Sequence, residues 1–387
     1  MSKRRRIVFL TGTRADFGKL KPLIERVERS DAFECAVFVT GMHLMERHGR
    51  SVVEIEKQGY SDVFCYINQT VNEPMDQVLA NTVAGLSRYL HERPCDMIVV
   101  HGDRVETLAG AIVGSFNNTL VAHVEGGEVS GTIDELIRHS VSKLAHLHFV
   151  ANDLARKRLL QMGEREESIS VIGSPDIDVM LSDKLPTLEA ARARYEIGYP
   201  DYAISLFHPV TTEPAEMAQM AEDYFTALVA SDMNYVVVYP NNDAGSYEIL
   251  QSMKRHVKGD RFRVFKSIRF EYFLTLMKHA KFIVGNSSAA VREAPVYGVP
   301  SVLVGSRQHR RSEAPSIIQA KPGRDGLLEA IRFAIDLPPF APHLEFGDGG
   351  SADRFLRILE GEALWATRVQ KSFIDLPGAT EPAPALP

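Results

Sequence analysis

Met97-Ile98-Val99-Val100-His101, then Val105–Phe116, then Leu120-Val121-Ala122-His123-Val124 stand in succession. A β-branched run, a helical stretch and a second apolar run make a strand–helix–strand unit. Such units need a parallel sheet covered on both faces. The two runs are nearly continuous in apolar residues, as strands buried on both faces are. The same alternation extends in both directions. Ile7–Leu10 and Cys35–Thr40 read as strands upstream, with helical stretches at Lys19–Arg29 and Met75–His91. Leu147–Val150 and Ile169–Ile172 read as strands downstream.

The pattern breaks between Gly173 and Pro200, where Ser174-Pro175, Pro186 and Gly198-Tyr199-Pro200 fall. It restarts with Tyr202–Phe207, Tyr235–Tyr239, Phe262–Phe265, Phe282–Val284 and Ser301–Val304. The expected fold is therefore α/β, with two doubly wound Rossmann-like domains. The boundaries read as 1–178 for the first domain and 196–350 for the second. Residues 351–375 hold terminal helices, at Ala352–Leu359 and Gly361–Ser372. Residues 376–387 form a Pro/Ala-rich tail expected to be flexible.

A chain of 387 residues exceeds what one core usually supports, which agrees with two domains. Its net charge of −6 argues against a nucleic-acid or membrane-surface partner. Cys35, Cys65 and Cys95 form no metal or disulfide pattern. They suit a reducing cytoplasm and read as buried packing residues. The apolar run Ile7–Leu10 is too short for a signal sequence, and no stretch approaches a membrane span.

Ligands of open α/β sheets sit outside the carboxyl ends of strands, so the residues after each strand carry the search. Thr11-Gly12-Thr13-Arg14-Ala15-Asp16 follows the first strand. Its small residues admit a ligand and Arg14 suits phosphate, although a tight turn with a surface arginine fits as well. His101-Gly102-Asp103-Arg104, His123-Val124-Glu125-Gly126-Gly127-Glu128 and Asp134 follow later strands. Asp103, Glu125 and Asp134 are thus carboxyls at sheet ends or a helix start. Neighbouring carboxyls in a partly dry cleft split their pKa values and can supply an acid and a base. Each also has a plainer reading. Asp103 can be a turn residue paired with Arg104, Glu125 a solvated loop carboxylate, and Asp134 a helix-end charge facing Arg138 at i, i+4.

In the second half, His208 ends a strand and can contact phosphate or shuttle protons, or simply pack. Val284-Gly285-Asn286-Ser287-Ser288 runs into a helix. Gly285, Ser287 and Ser288 offer donors for a diphosphate, or an ordinary helix cap. Glu293, a turn or more into that helix, can accept from ribose hydroxyls. Phe273 can flank a base or fill the core. Gly305-Ser306-Arg307-Gln308-His309-Arg310-Arg311 concentrates cations, either for a ligand or as a solvated basic loop. No nucleophile elbow, zinc helix or P-loop lysine appears. No clustered metal-ligand spacing stands out, so no metal is expected.

Taken in order, these stretches resemble the UDP-N-acetylglucosamine 2-epimerases over about Ile7 to Asp375. The resemblance rests further on Thr40-Gly41-Met42-His43, Ile137-Arg138-His139-Ser140, Ile172-Gly173-Ser174-Pro175 and Phe207-His208-Pro209. Asn68-Gln69 and Glu73-Pro74-Met75 are similar to bacterial capsule-pathway members. Thr211-Thr212-Glu213 and Asp134 resemble the hydrolysing branch, which makes precursors of sialic-acid-like sugars.

The resemblance implies a GT-B arrangement, with UDP in the cleft and the terminal helices crossing back to the first domain. It implies a homodimer or homotetramer and a UDP-sugar substrate. The implied reaction eliminates UDP while a base removes the proton on the acetamido carbon; water then adds to the glycal and frees N-acetylmannosamine. That route needs no redox cofactor. Asp103, Glu125, Asp134 and His208 would be catalytic. Arg14, Phe273, Gly285, Ser287, Ser288 and Glu293 would bind UDP. Asp16, His43, Arg138, His139, Arg307 and Gln308 are further candidates for sugar or phosphate contacts. Rival expectations are a UDP-N,N'-diacetylbacillosamine substrate, a GT-B glycosyltransferase, or a non-catalytic UDP-sugar binder.

Overall fold

A computed structural model describes residues 4–130, 133–210, 212–213, 215–309 and 311–375. The expected loose tail, 376–387, lies outside the described residues, as do Thr211 and Arg310.

Seven strands form the first sheet: β1 (Arg5–Thr11), β2 (Phe33–Val39), β3 (Val63–Cys65), β4 (Met97–His101), β5 (Leu120–Val124), β6 (Leu147–Val150) and β7 (Ile169–Val171). Their order is β3-β2-β1-β4-β5-β6-β7. Six more form the second: β8 (Ala203–Leu206), β9 (Tyr235–Val238), β10 (Phe262–Phe265), β11 (Ile283–Gly285), β12 (Ser301–Leu303) and β13 (Ile317–Gln319). Their order is β10-β9-β8-β11-β12-β13. Every pairing is parallel. Both sheets reverse direction next to their first strand. Such a switch point splays the following loops apart and opens a crevice.

Alternate side chains of each inner strand enter different cores. Ile7 and Phe9 of β1 pack with the helix Arg14–Glu28 on one face. Val8 and Leu10 pack with the helices Met75–Glu92 and Val105–Phe116 on the other. The second sheet repeats this division, with Val237 and Val284 on one face and Val236 and Ile283 on the other.

The helix Ser351–Leu359 follows the second sheet in sequence but packs on the first. Phe355 lies 4.7 Å from Phe149 and 6.3 Å from Phe9 between ring centroids. Asp178 accepts from the amides of Ser351 and Ala352, both at 2.8 Å, and so satisfies the first turn of that helix.

Several sequence expectations need correction. The helix expected at Gly361–Ser372 is one turn, Glu362–Trp365. The helix expected from Lys19 begins at Arg14, because Thr13 caps it by accepting from the Asp16 amide at 3.2 Å. The edge strands β3 and β13 were not anticipated; each is three residues long and partly exposed. Of the cysteines only Cys35 is buried; Cys65 is exposed at the sheet edge and Cys95 is half-buried. Among the described residues no helix is long and apolar enough to cross a membrane.

Candidate active site

The loops after β1, β4, β5, β8, β9, β11 and β12 meet around one cleft. It brings together Arg14, Asp16, Asp103, Glu125, Asp134 and Arg138 from the first sheet unit. From the second come His208, Phe273, Ser287, Ser288, Glu293, Arg307 and Gln308. Three residues named from the sequence stand elsewhere. His43 is fully buried, with its ring nitrogens 3.0 Å from Thr11 Oγ1 and 2.8 Å from Ser51 Oγ. His139 lies on the outer face of the helix Ile133–Leu144, 3.4 Å from Glu135. Gly285 acts through its backbone: a Cβ there would fall 1.7 Å from the Leu206 carbonyl oxygen.

Glu125 is the centre of the site. It follows β5 with φ of 63°, a left-handed conformation uncommon outside glycine. That turn aims its carboxylate into the cleft floor. Oε1 accepts from Arg292 Nη2 at 2.8 Å and from the Ser174 hydroxyl. Oε2 faces His101 Nε2 at 3.1 Å and Lys19 Nζ at 3.9 Å. Burial alone would raise its pKa. Arg292, Lys19 and His101 outweigh burial and hold it well below the usual carboxylate range.

Lys19 and Arg292 are buried cations that the sequence reading passed over. Lys19 Nζ stands 2.9 Å from Asp176 and 3.5 Å from Glu293. Arg292 also reaches both oxygens of Glu128 and lies 4.3 Å above the Phe346 ring. The available signal was a charge directly after a small or apolar run: Lys19 after Phe17-Gly18, and Arg292 after Ala289-Ala290-Val291.

Asp103 and Asp134 form a second group. Asp103 accepts from Arg138 and, at 3.4 Å, from Ser130 Oγ. Burial opposes its ionisation, but Arg138, Arg311 and Arg307 prevail and lower its pKa. Arg138 Nη1 also donates to the Glu125 carbonyl at 2.5 Å, which ties the two catalytic candidates together. Arg104, the sequence's partner for Asp103, instead faces Glu106 at 3.3 Å. Asp134 accepts from Arg307 at 2.9 Å. Its pKa is raised, first by burial and then by the charge of Asp103, against the pull of Arg307. The two aspartates are thus pushed in opposite directions, as an acid/base pair requires.

His208 is held by its backbone and its ring. Its amide donates to Asn286 Oδ1 at 2.7 Å, its carbonyl accepts from Asn286 Nδ2 at 2.8 Å, and Nδ1 accepts from the Asn241 amide at 3.1 Å. The proton of the neutral ring therefore sits on Nε2. Burial, then Arg307 and Arg104, push the ring's pKa down to about 3. His208 is therefore a neutral donor.

The Ser287–Ser288 segment is a short 3-10 turn, Ser288–Ala290, capped by Ser287. The α-helix begins at Glu293 and runs only to Val296. Pro295 has no amide hydrogen to continue an upstream helix. Glu293 is therefore at the helix start and not a turn or more into it. It is buried with Oε2 unpartnered, and burial raises its pKa against Lys19. Phe273 borders the cleft from the core beneath it. Gln308 donates to the Asn286 carbonyl at 3.0 Å. Arg14 is committed to Glu54 at 2.7 Å and to the Ser267 hydroxyl across the cleft. Among the described residues no group of three or more His, Cys, Asp or Glu could hold a metal ion.

This site sits in a chain with clear relatives. A protein of Neisseria meningitidis serogroup B named UDP-N-acetylglucosamine 2-epimerase is 49% identical over 375 residues, 96% of this chain and 99% of that one. A Legionella pneumophila protein named UDP-N,N'-diacetylbacillosamine 2-epimerase (hydrolyzing) is 31% identical over 92% of this chain and 96% of its own. The crystal structure of Methanocaldococcus jannaschii UDP-GlcNAc 2-epimerase, with UDP-GlcNAc and UDP, superposes with a TM-score of 0.75. It shares 20% identity and covers 92% of this chain and 99% of that one, a likeness of fold. The family description UDP-N-acetylglucosamine 2-epimerase matches residues 25–360. With most of its length matched and half its residues shared with a full-length relative, the chain belongs to the UDP-N-acetylglucosamine 2-epimerase family.

Proposed function

We propose that the protein is a hydrolysing UDP-N-acetylglucosamine 2-epimerase, which converts UDP-N-acetylglucosamine and water to UDP and N-acetylmannosamine. The observation that carries the chemistry is the opposed pair Asp103 and Asp134 beside Glu125 in one buried cleft. The hydrolysing outcome is supported by the name of the Legionella relative. The substrate is supported by the name of the nearer Neisseria relative.

Elimination comes first. Asp134, whose pKa is raised by burial and by Asp103, takes the proton on the acetamido carbon, directly or by way of Asp103. The electron pair forms the glycal double bond and expels UDP. The leaving diphosphate gains negative charge, met by Arg307, the Ser287–Ser288 turn and the Nε2–H of His208. Glu293, with its unpartnered oxygen, takes ribose hydroxyls, and Phe273 flanks the uracil. Hydration follows: water adds at the anomeric carbon, and a proton returns to the acetamido carbon from the other face. Glu125, on the cleft floor, serves that face.

In the same reading the enzyme is cytoplasmic, forms a homodimer or homotetramer, and feeds sialic-acid or capsule synthesis. The test is proton NMR with UDP-N-acetylglucosamine in D2O. UDP and N-acetylmannosamine bearing deuterium at carbon 2 are expected. Accumulated UDP-N-acetylmannosamine overturns the hydrolysing reading. Turnover of UDP-N,N'-diacetylbacillosamine alone overturns the substrate and favours the Legionella type.

A further inference from the structure

His101 has no part in the reaction as described so far, yet it is 8% exposed and borders the cleft. Three side chains form a line. The Gly12 amide donates to Asp16 Oδ2 at 3.0 Å, and Asp16 Oδ1 lies 2.9 Å from His101 Nδ1. His101 Nε2 lies 3.1 Å from Glu125 Oε2. Asp16 is fixed by a backbone amide, so the imidazole it orients is fixed too. Both ring nitrogens stand near a carboxylate: Nδ1 is hydrogen-bonded to Asp16, and Nε2, 3.1 Å from Glu125, has no hydrogen-bond partner among the described residues. Only a doubly protonated ring carries a proton toward each.

We propose that His101 is the proton store for Glu125: the imidazolium passes its Nε2 proton through Glu125 to the acetamido carbon during hydration, and Asp16 holds the ring in place. This rests on the hydrolysing epimerase reading above. The balance is simple. The glycal π pair forms the new carbon–hydrogen bond with the proton from Glu125. Glu125 has taken that proton from His101 Nε2 beforehand, so it ends as the carboxylate it was at the start. Water forms the carbon–oxygen bond and loses its proton to the Asp103/Asp134 pair, which has by then released the proton taken in the elimination to solvent. His101 ends neutral, with Nδ1–H still on Asp16, and is reprotonated from solvent.

The surroundings explain why a store is needed. Glu125 faces Arg292 and Lys19, so it rests as a carboxylate with no proton of its own to give. The groups facing His101 are Asp16 and, further off, Lys19 on the helix Arg14–Glu28, Asp103 beyond its own strand, and Glu125 and His123 of the neighbouring strand and its end. Burial favours a neutral ring; Glu125 and Asp16 overcome it and raise the pKa to about 9. The proton thus rests on the histidine, 3.1 Å from the carboxylate that uses it.

The experiment compares wild type with His101→Asn and Asp16→Asn by following UDP, glycal and N-acetylmannosamine separately. The wild type must first yield UDP and N-acetylmannosamine; if it does not, the function reading fails rather than this one. His101→Asn is expected to release UDP within about tenfold of wild type while the glycal accumulates. Its kcat for N-acetylmannosamine should fall about 100-fold or more, the span of a lost acid/base group, with KM within threefold. Asp16→Asn should lower the alkaline limb of the kcat profile, because the ring loses a raising charge. A His101→Asn enzyme with near-normal product formation overturns the proposal, as does equal loss of UDP release and hydration. If that variant does not fold, nitrogen-15 NMR of wild-type His101 decides: a ring neutral at pH 7 overturns it, and an imidazolium persisting above pH 8 upholds it.

Discussion

Arg292 Nη2, on the loop after β11, lies 2.8 Å from Oε1 of Glu125, on the loop after β5. One guanidinium therefore joins the two sheet units and fixes the carboxylate at the cleft floor. It also neutralises Glu128 and lies 3.8 Å from Asp176. Arg292→Met leaves the buried Glu125 and Glu128 without their main counter-charge. Breaking such a group costs about 3–5 kcal/mol, so the melting midpoint should fall sharply. Arg292→Lys restores the charge but not the planar fork, and should recover only part of the loss. Thermal melts of the three proteins check this; equal midpoints would show that the network is not structural.

Asp134 and Arg307, 2.9 Å apart, set the acid side of the activity profile. Burial and Asp103 raise the Asp134 pKa, and Arg307 lowers it. As a base, Asp134 works when deprotonated, so kcat/KM should rise with pH through a limb above the ordinary aspartate value of about 3.9. Removing the arginine removes a lowering charge. Arg307→Gln should therefore move that limb to higher pH, and Asp134→Asn should lower kcat by about 100-fold or more. A limb that stays in place in Arg307→Gln rules out Asp134 as the titrating base.

The pH dependence of stability follows from the buried histidines. His43 and His48 are held down to about 4, and His123 and His208 to about 3, in each case first by burial. Below the unfolded value of about 6.5 the unfolded chain binds protons that the native chain refuses. Stability should fall as pH drops from about 6.5, by at most about 1.4 kcal/mol per pH unit for each histidine. His101 has the opposite sign. Raised to about 9, it contributes stability present below pH 6.5 and lost as pH rises toward 9. Urea midpoints from pH 5 to 9 should show a maximum near neutrality, and His101→Asn should flatten the alkaline side.

The inner strands were legible because burial on both faces leaves a continuous apolar run: Met97–His101 and Leu120–Val124 match their sequence reading residue for residue. The strands β3 and β13 were not, since three half-exposed residues carry no such signature. The carboxyls Asp103 and Glu125 could be picked out because they follow strands, and Asp134 because it opens a helix. Their charge partners could not. Lys19 and Asp176, or Arg292 and Glu125, are far apart in sequence and meet only when the sheets are placed. Asp16 shows the limit: the sequence marks it as polar at a sheet end, but only the fold sets it against His101 at the cleft.

Gly285 tests how closely the second sheet must pack to hold His208. Its φ of 139° is a conformation that residues with a Cβ rarely adopt, and a Cβ would lie 1.7 Å from the Leu206 carbonyl oxygen. That oxygen also accepts from the Asn286 amide at 3.1 Å, and Asn286 in turn holds the amide and carbonyl of His208. Gly285→Ala must push β11 from the end of β8 and carry Asn286 with it. Gly59→Ala is the control: its φ is 72°, and nothing lies within 4 Å of the new Cβ. The control should lose about 1–2 kcal/mol, the cost of a left-handed alanine. Gly285→Ala should lose that and about 1–3 kcal/mol more for the clash. Its kcat should fall well beyond the control's, because the histidine that meets the diphosphate has moved. Two variants equal in melting midpoint and in kcat would show that β11 can shift freely, and that His208 does not depend on Asn286 for its place.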